Sequence, residues 1–309
     1  MRTVRQELGS VLRRISEFAR LPFYTRPQTY QVEYIAHLKN HSHQAKDAWL
    51  AMPVPPETDY QHLLDEPVFD VAGAEIKTET RYGNRYAVVK MTCEGGQEVA
   101  VTQIFRIRVS PRTTVRTCVK APVVVDNGHC HPYDPKIKGW VGDWTEPDQI
   151  STLKRLNTLV VERLSYGNPI DGLYTDMQAL DLKEVDCGGF STLMLALAGS
   201  VGIPGQLLCG FWAGHVKDDM HAWTEFMTSS GVVPADASVE NLAKAGRTRK
   251  AGRLGYLGSD RIVFSRGCDY AISIDGQDHQ IDILQHPAVI QETSGHELVA
   301  RAEVSTRIL

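Results

Sequence analysis

The run Thr192-Leu193-Met194-Leu195-Ala196-Leu197-Ala198-Gly199 contains no charged side chain. A stretch this apolar and rich in Leu and Ala reads as a buried helix. The residues before it, Val185-Asp186-Cys187-Gly188-Gly189-Phe190-Ser191, place a cysteine where that helix begins. Asp186 can serve as the N-cap. The first N–H groups of a helix have no intrahelical partner, and the macrodipole is positive there. Both effects favour thiolate over thiol, and the thiolate is the nucleophile. Gly188 and Gly189 leave room for another backbone, or a substrate, to approach closely.

The partners that such a thiol needs follow in order. His221 lies in Met220-His221-Ala222-Trp223-Thr224-Glu225-Phe226, which alternates and is rich in aromatics and Thr, so residues 220–227 read as a strand. Thr228-Ser229-Ser230-Gly231 is turn chemistry. Residues 232–235 read as the return strand, with Pro234 marking an edge or the strand's end. The hairpin brings Asp236 close to His221, as suits a carboxylate that orients an imidazole and fixes its tautomer. Cys-His-Asp chemistry needs no cofactor: the imidazole takes the thiol proton, the thiolate attacks a carbonyl, and a thioester forms. Taken singly, a Cys is most often a small buried hydrophobe, a strand His is structural, and an Asp after Pro-Ala is a turn residue. The ordered combination, each member in a fitting context, points to catalysis.

At these residues the chain resembles the transglutaminase-like superfamily of papain-fold cysteine enzymes, and most closely its bacterial members and related cysteine proteases. The resemblance runs from about Trp144 to Ser238. It is carried by Asp171-Gly172-Leu173-Tyr174, Asp186-Cys187-Gly188-Gly189, Gly202-Ile203-Pro204 and His221-Ala222-Trp223, with a similar stretch at Leu257-Gly258-Ser259-Asp260-Arg261-Ile262-Val263-Phe264. It implies an α+β, papain-like transglutaminase core, in which a central helix carrying the Cys packs on an antiparallel sheet. The implied roles are Cys187 as nucleophile, His221 as general base and Asp236 as orienting residue. Related enzymes also use a Gln or Trp upstream of the nucleophile as an oxyanion donor. Gln178 and Trp144 are the residues available, beside the N–H of Cys187 itself. Trp223 either walls the imidazole from water or packs as an ordinary strand residue. Animal transglutaminases add calcium sites and further β domains, for which no matching segments are seen, so no metal and no cofactor are expected.

With 309 residues, the chain is long enough for one or two domains with a real core. Its net charge of −4 gives no reason to expect a nucleic-acid partner, and no apolar run reaches membrane-spanning length. The expected partner is a protein or peptide substrate. The N-terminus lacks the apolar core of a secretory signal. Val4, Leu8, Val11, Leu12, Ile15 and Phe18 fall instead at helical spacing, as in an amphipathic helix docked on the domain or, alternatively, lying on a membrane surface. A cytoplasmic location is therefore expected. The six cysteines are scattered too widely for a disulfide framework.

Four segments are expected: residues 1–27 as the amphipathic helix, 28–112 as a β-sandwich-like domain, 113–143 as a linker region, and 144–309 as the catalytic domain. Tyr30–Ala36, Tyr86–Thr92 and Val99–Val109 read as strands, with a hairpin turn at Glu94-Gly95-Gly96-Gln97. Cys118, His129, Cys130 and His131 raise a zinc question, but adjacent side chains diverge and metal-site spacing is missing, so a plain loop is expected. Arg253, Arg261 and Arg266 are expected on a solvated surface. Cysteine-dependent acyl transfer is the leading function, as a protease or amidase when water accepts the acyl group and as a transglutaminase when an amine does. A non-catalytic binding module that keeps the fold is the other class.

Overall fold

The computed structural model describes residues 23–114, 127–142, 146–215, 219–291 and 297–309. It is mixed α+β and divides into two compact units, each assembled from segments far apart in sequence. The helix expected over residues 1–27 lies almost wholly outside the described residues. Among the described residues no helix is long and apolar enough to cross a membrane.

One unit comprises the described residues of Thr29–Val109, Cys209–Met220 and Ile262–Leu309. Its strand Gln28–Asn40 buries Tyr30, Val32, Tyr34, Ala36 and Leu38 in strict alternation, the period-two pattern of a half-buried strand. That strand lies between Glu98–Val109 and the C-terminal strand Leu298–Ile308. A second antiparallel sheet orders Ala288–Ile290, Lys46–Val54, Arg85–Cys93 and Glu75–Thr78. One apolar cluster draws on both sheets, with Tyr30, Val32, Leu50, Met52, Val89, Phe105 and Ile107 among its members.

Two expectations change here. The turn at Glu94–Gln97 is not a hairpin: Arg85–Cys93 and Glu98–Val109 belong to different sheets, each paired with another strand, so the turn hands the chain from one sheet to the other. Gly95 is required there, because a Cβ would stand 2.4 Å from the His43 carbonyl carbon. The tail after residue 261 joins the N-terminal strands rather than closing a continuous 144–309 domain. Leu298–Ile308 runs antiparallel to Gln28–Asn40 from Asn40↔Leu298 to Tyr30↔Ile308. A pairing between the two ends of a chain leaves no local signal in either segment.

The other unit holds the described residues of Met1–Gln28, Ser110–Leu208 and His221–Arg261. Its central element is the helix Cys187–Ser200, whose residues from Gly188 to Ala198 are all buried. Helices Pro135–Val141, Gln149–Arg163, Asp176–Leu182 and Ala237–Lys244 all contact it. The first of these falls inside the supposed linker, where Asp134 caps it and Pro135 opens it. On the sheet side, Gly205 admits the helix: a Cβ there would meet Leu195 Cδ2 and Phe226 Cδ1, each at 2.7 Å. Strands Met220–Thr228 and Gly231–Ala235 pair antiparallel. The tight turn sets the hairpin register from Thr228↔Gly231 to Thr224↔Ala235.

Candidate active site

Asp186 caps the central helix. One oxygen accepts from the N–H groups of Gly188 (2.9 Å) and Gly189 (3.3 Å), and the other from Ile170 N–H at 3.3 Å. Such a cap contributes about 1 kcal/mol and aims Cys187 out of the first turn. The space beside the two glycines is not kept for a substrate. A Cβ at Gly188 would stand 2.9 Å from Leu173 Cδ1, and one at Gly189 2.7 Å from Val185 Cβ, so the chain's own lead-in occupies it.

The Cys187 sulfur accepts hydrogen bonds from the backbone N–H of Ala222, the neighbour of His221, and from the Tyr166 hydroxyl. Tyr166 is absent from the sequence-derived list. Its strand Ser165–Tyr166 pairs in parallel with Glu184–Val185, which puts Tyr166 opposite Val185, two residues before the cysteine. Its ring tilts against Phe190 at 6.2 Å, and Arg247 donates to its carbonyl at 2.6 Å.

Burial outweighs the helix terminus at the thiol. It pushes the Cys187 thiol up to about 12, and the charges of Asp186 and Asp236 act in the same sense, while Ala222 N–H and Tyr166 pull the other way. The expectation of a resting thiolate is thereby reversed: the resting group is the thiol. Alkylation of Cys187 by iodoacetamide should therefore keep accelerating with pH from about 7 to about 10. A plateau already reached near pH 6 would show a preformed thiolate instead. Cys187 should still react ahead of Cys93, Cys130, Cys209 and Cys268, which are all buried, whereas Cys187 is partly exposed.

His221 and Asp236 meet at 2.8 Å, from Nε2 to Oδ2. Both are buried. Asp236 caps helix Ala237–Lys244, its Oδ1 accepting from Val239 N–H (3.0 Å) and the Ser238 hydroxyl (2.8 Å). Burial acts to raise the Asp236 carboxyl, but His221, Arg261 and Val239 N–H together hold it well below the usual carboxylate range. An ionised carboxylate only accepts, so Nε2 carries the proton and Nδ1 presents the lone pair of the neutral ring. Burial also pushes the His221 pKa down, against the pull of Asp236, with Arg261 and Lys250 lowering it further.

Trp223 is buried and stacks on the imidazole, with centroids 5.8 Å apart and planes at 24°. Its indole nitrogen has no hydrogen-bond partner among the described residues. Gln178 is committed elsewhere. It forms a capping box with Thr175, accepting from Thr175 N–H at 2.9 Å while its own N–H donates to the Thr175 hydroxyl at 3.0 Å. The Thr175-Asp176-Met177-Gln178 spacing carries that signal in the sequence. Trp144 and Cys118 lie outside the described residues. Within the His-Cys-His run, Cys130 is buried with its sulfur toward the Thr192 carbonyl at 3.7 Å, and His131 Nδ1 meets Asp176 at 2.8 Å.

Arg261 is not on a solvated surface. It is 2% exposed and donates from Nη2 to Asp236 Oδ2 at 2.8 Å, the oxygen that also serves His221. Gly252 makes room for it, since a Cβ there would stand 2.2 Å from Arg261 Nη2 and 3.2 Å from Asp236 Oδ2. Gly252→Ala should displace the guanidinium and cost about 1–3 kcal/mol of stability, read from a urea midpoint. An unchanged midpoint would show that Arg261 moves aside freely.

Residues 140–237 match the transglutaminase-like superfamily, so this segment, which holds Cys187, His221 and Asp236, is a transglutaminase-like domain. Across the whole chain, a solved structure described as a putative cysteine protease from Cytophaga hutchinsonii aligns over 92% of this chain and 91% of its own, at 13% identity and a TM-score of 0.52. It shares the fold. A putative protease from Parabacteroides distasonis aligns over 78% of this chain and 47% of its own, at 10% identity and a TM-score of 0.32. No curated protein matches the chain.

Proposed function

We propose that this protein is a cysteine-dependent acyl-transfer enzyme acting on peptide or amide bonds, with Cys187 as nucleophile, His221 as general base and Asp236 as its orienting carboxylate, in a papain-like core. One observation carries the reading: Asp236 locks the His221 tautomer through Nε2 while the Cys187 sulfur rests against the backbone N–H of the next residue, Ala222. Because thiol and imidazole are both neutral at rest, the first step is general-base catalysis. Nδ1 of His221 takes the thiol proton as sulfur attacks the carbonyl carbon. The oxyanion develops near the N–H of Cys187 at the helix start, with the Tyr166 hydroxyl as a side-chain donor at the sulfur. The imidazolium gives its proton to the departing amine, the C–N bond breaks, and a thioester remains. Water, losing a proton to His221, then releases the acid and restores the thiol.

Hydrolysis accords with the cysteine-protease description of the Cytophaga protein. Mass spectrometry of the protein incubated with a peptide library, with and without a primary amine, tests the reading. An acyl adduct on Cys187 and cleaved or deamidated peptides are expected, and amine-linked products would make the chain a transglutaminase. Turnover that persists after Cys187 is blocked by iodoacetamide would refute the thioester route.

A further inference from the structure

His221, Asp236, Arg261 and Asp260 form one buried chain of charges and hydrogen bonds. Asp236 Oδ2 accepts from His221 Nε2 and from Arg261 Nη2, each at 2.8 Å, and Arg261 Nη1 donates to Asp260 Oδ1 at 2.9 Å. None of the four is more than 3% exposed. Stability does not account for such a chain, because buried ion pairs return little more than their desolvation cost. Its placement does have a chemical consequence. A lone buried carboxylate on Nε2 would strongly favour the imidazolium. The guanidinium bound to the same oxygen offsets that pull, and Asp260 behind it offsets part of the guanidinium in turn. Among the described residues, Lys250 and Asp186 at the helix cap also act on the ring, and the Cys187 thiol and the Tyr166 hydroxyl share the field of Asp236.

We propose that Arg261, backed by Asp260, is a positioning residue that sets the basicity of His221 and thereby the pH above which the Cys187 site can be acylated. The acylation half rests on the function proposed above; the effect on the imidazole does not. Arg261 touches no reacting atom and acts through the shared Asp236 oxygen. It also fills one of the four donor positions on that carboxylate, the others being His221, Ser238 and Val239, so Asp236 cannot rotate away from the ring.

Two variants separate this role from a packing role. Asp260→Asn removes one negative charge, and its amide oxygen can still accept from Arg261. It should lower the His221 pKa by about one pH unit. Arg261→Met combined with Asp260→Asn removes the nearer positive charge without stranding the farther negative one. It should raise the His221 pKa by a similar amount. The readout is the His221 imidazole titration by ¹⁵N NMR on the full chain, assigned with His221→Gln, with circular dichroism to confirm folding. Opposite shifts establish the positioning role. A His221 pKa that stays within about 0.3 units of the parent in both folded variants overturns it. Should the double variant not fold, the Asp260→Asn shift alone decides. The pH profile of Cys187 acylation should move with the titration. If the titration moves while Cys187 acylates with no peptide, the functional reading fails and the control of His221 stands.

Discussion

Cys187→Ala should leave the fold intact and reduce turnover by about 10⁴-fold or more, to the background set by binding and the oxyanion donors. Cys187 occupies the first position of its helix and is only partly buried, so losing the sulfur opens no cavity in the core. Alanine is also a favourable helix residue, so little stability is at stake. The covalent route disappears entirely, because Ser191 is turned back onto the Cys187 carbonyl at 2.8 Å and Thr192 onto the Gly188 carbonyl at 3.2 Å. Cys187→Ser should fail almost as badly, since a neutral imidazole with a lowered pKa is a poor base for an alcohol. The measurement is turnover of a cleaved peptide beside circular dichroism. Parental turnover in a folded Cys187→Ala protein would remove the cysteine from the mechanism.

Asp236→Asn should cost about 10²- to 10⁴-fold in turnover, less than loss of the nucleophile, and should also lower stability. The activity loss follows from donor counting. The Asp236 carboxylate accepts from four donors, two on each oxygen. An amide has one oxygen and one NH₂, so whichever way it turns, two donors face an NH₂. If that NH₂ faces His221, the ring accepts through Nε2 and its proton moves to Nδ1, the nitrogen that must take the thiol proton. If it faces Ser238 and Val239, the helix cap is lost, at about 1 kcal/mol. In either case Arg261 keeps its charge and faces a neutral group in place of a buried carboxylate, and where the NH₂ faces it the hydrogen bond is lost as well, which lowers stability further. From the sequence alone this variant would be expected to fold as well as its parent; the buried guanidinium changes that expectation. Turnover and a urea midpoint on the same preparation check both halves. A folded variant with parental turnover would reduce the site to Cys187 and His221.

Much of the site was legible because its signals are local. Asp186 before Gly188 and Gly189, with an unbroken apolar run behind them, specifies a capped and buried helix within a dozen residues. The Thr228–Gly231 turn between two alternating runs sets a register with little freedom, and that register delivers Asp236 to His221. The capping box at Thr175–Gln178 was equally local, and reading it removes Gln178 from the site.

Other features depended on segments that meet only in the folded chain. No window around Arg261 indicates that its guanidinium is buried, because its partner Asp236 and the space left by Gly252 come from elsewhere in the sequence. Tyr166 reaches the thiol through a two-residue parallel pairing too short to leave a periodic signal. The sign of the thiol's shift could not be read locally either. The helix start favours thiolate, but desolvation by everything packed around Cys187 outweighs it. The sequence by itself determined the candidate reactive residues, their order and the elements that carry them, since caps, turns and periodicity act between near neighbours. Tertiary structure decided which strands the C-terminal tail joins, which charges are buried together and the resting protonation of the site, because pairing and desolvation depend on atoms that the chain brings together only by folding.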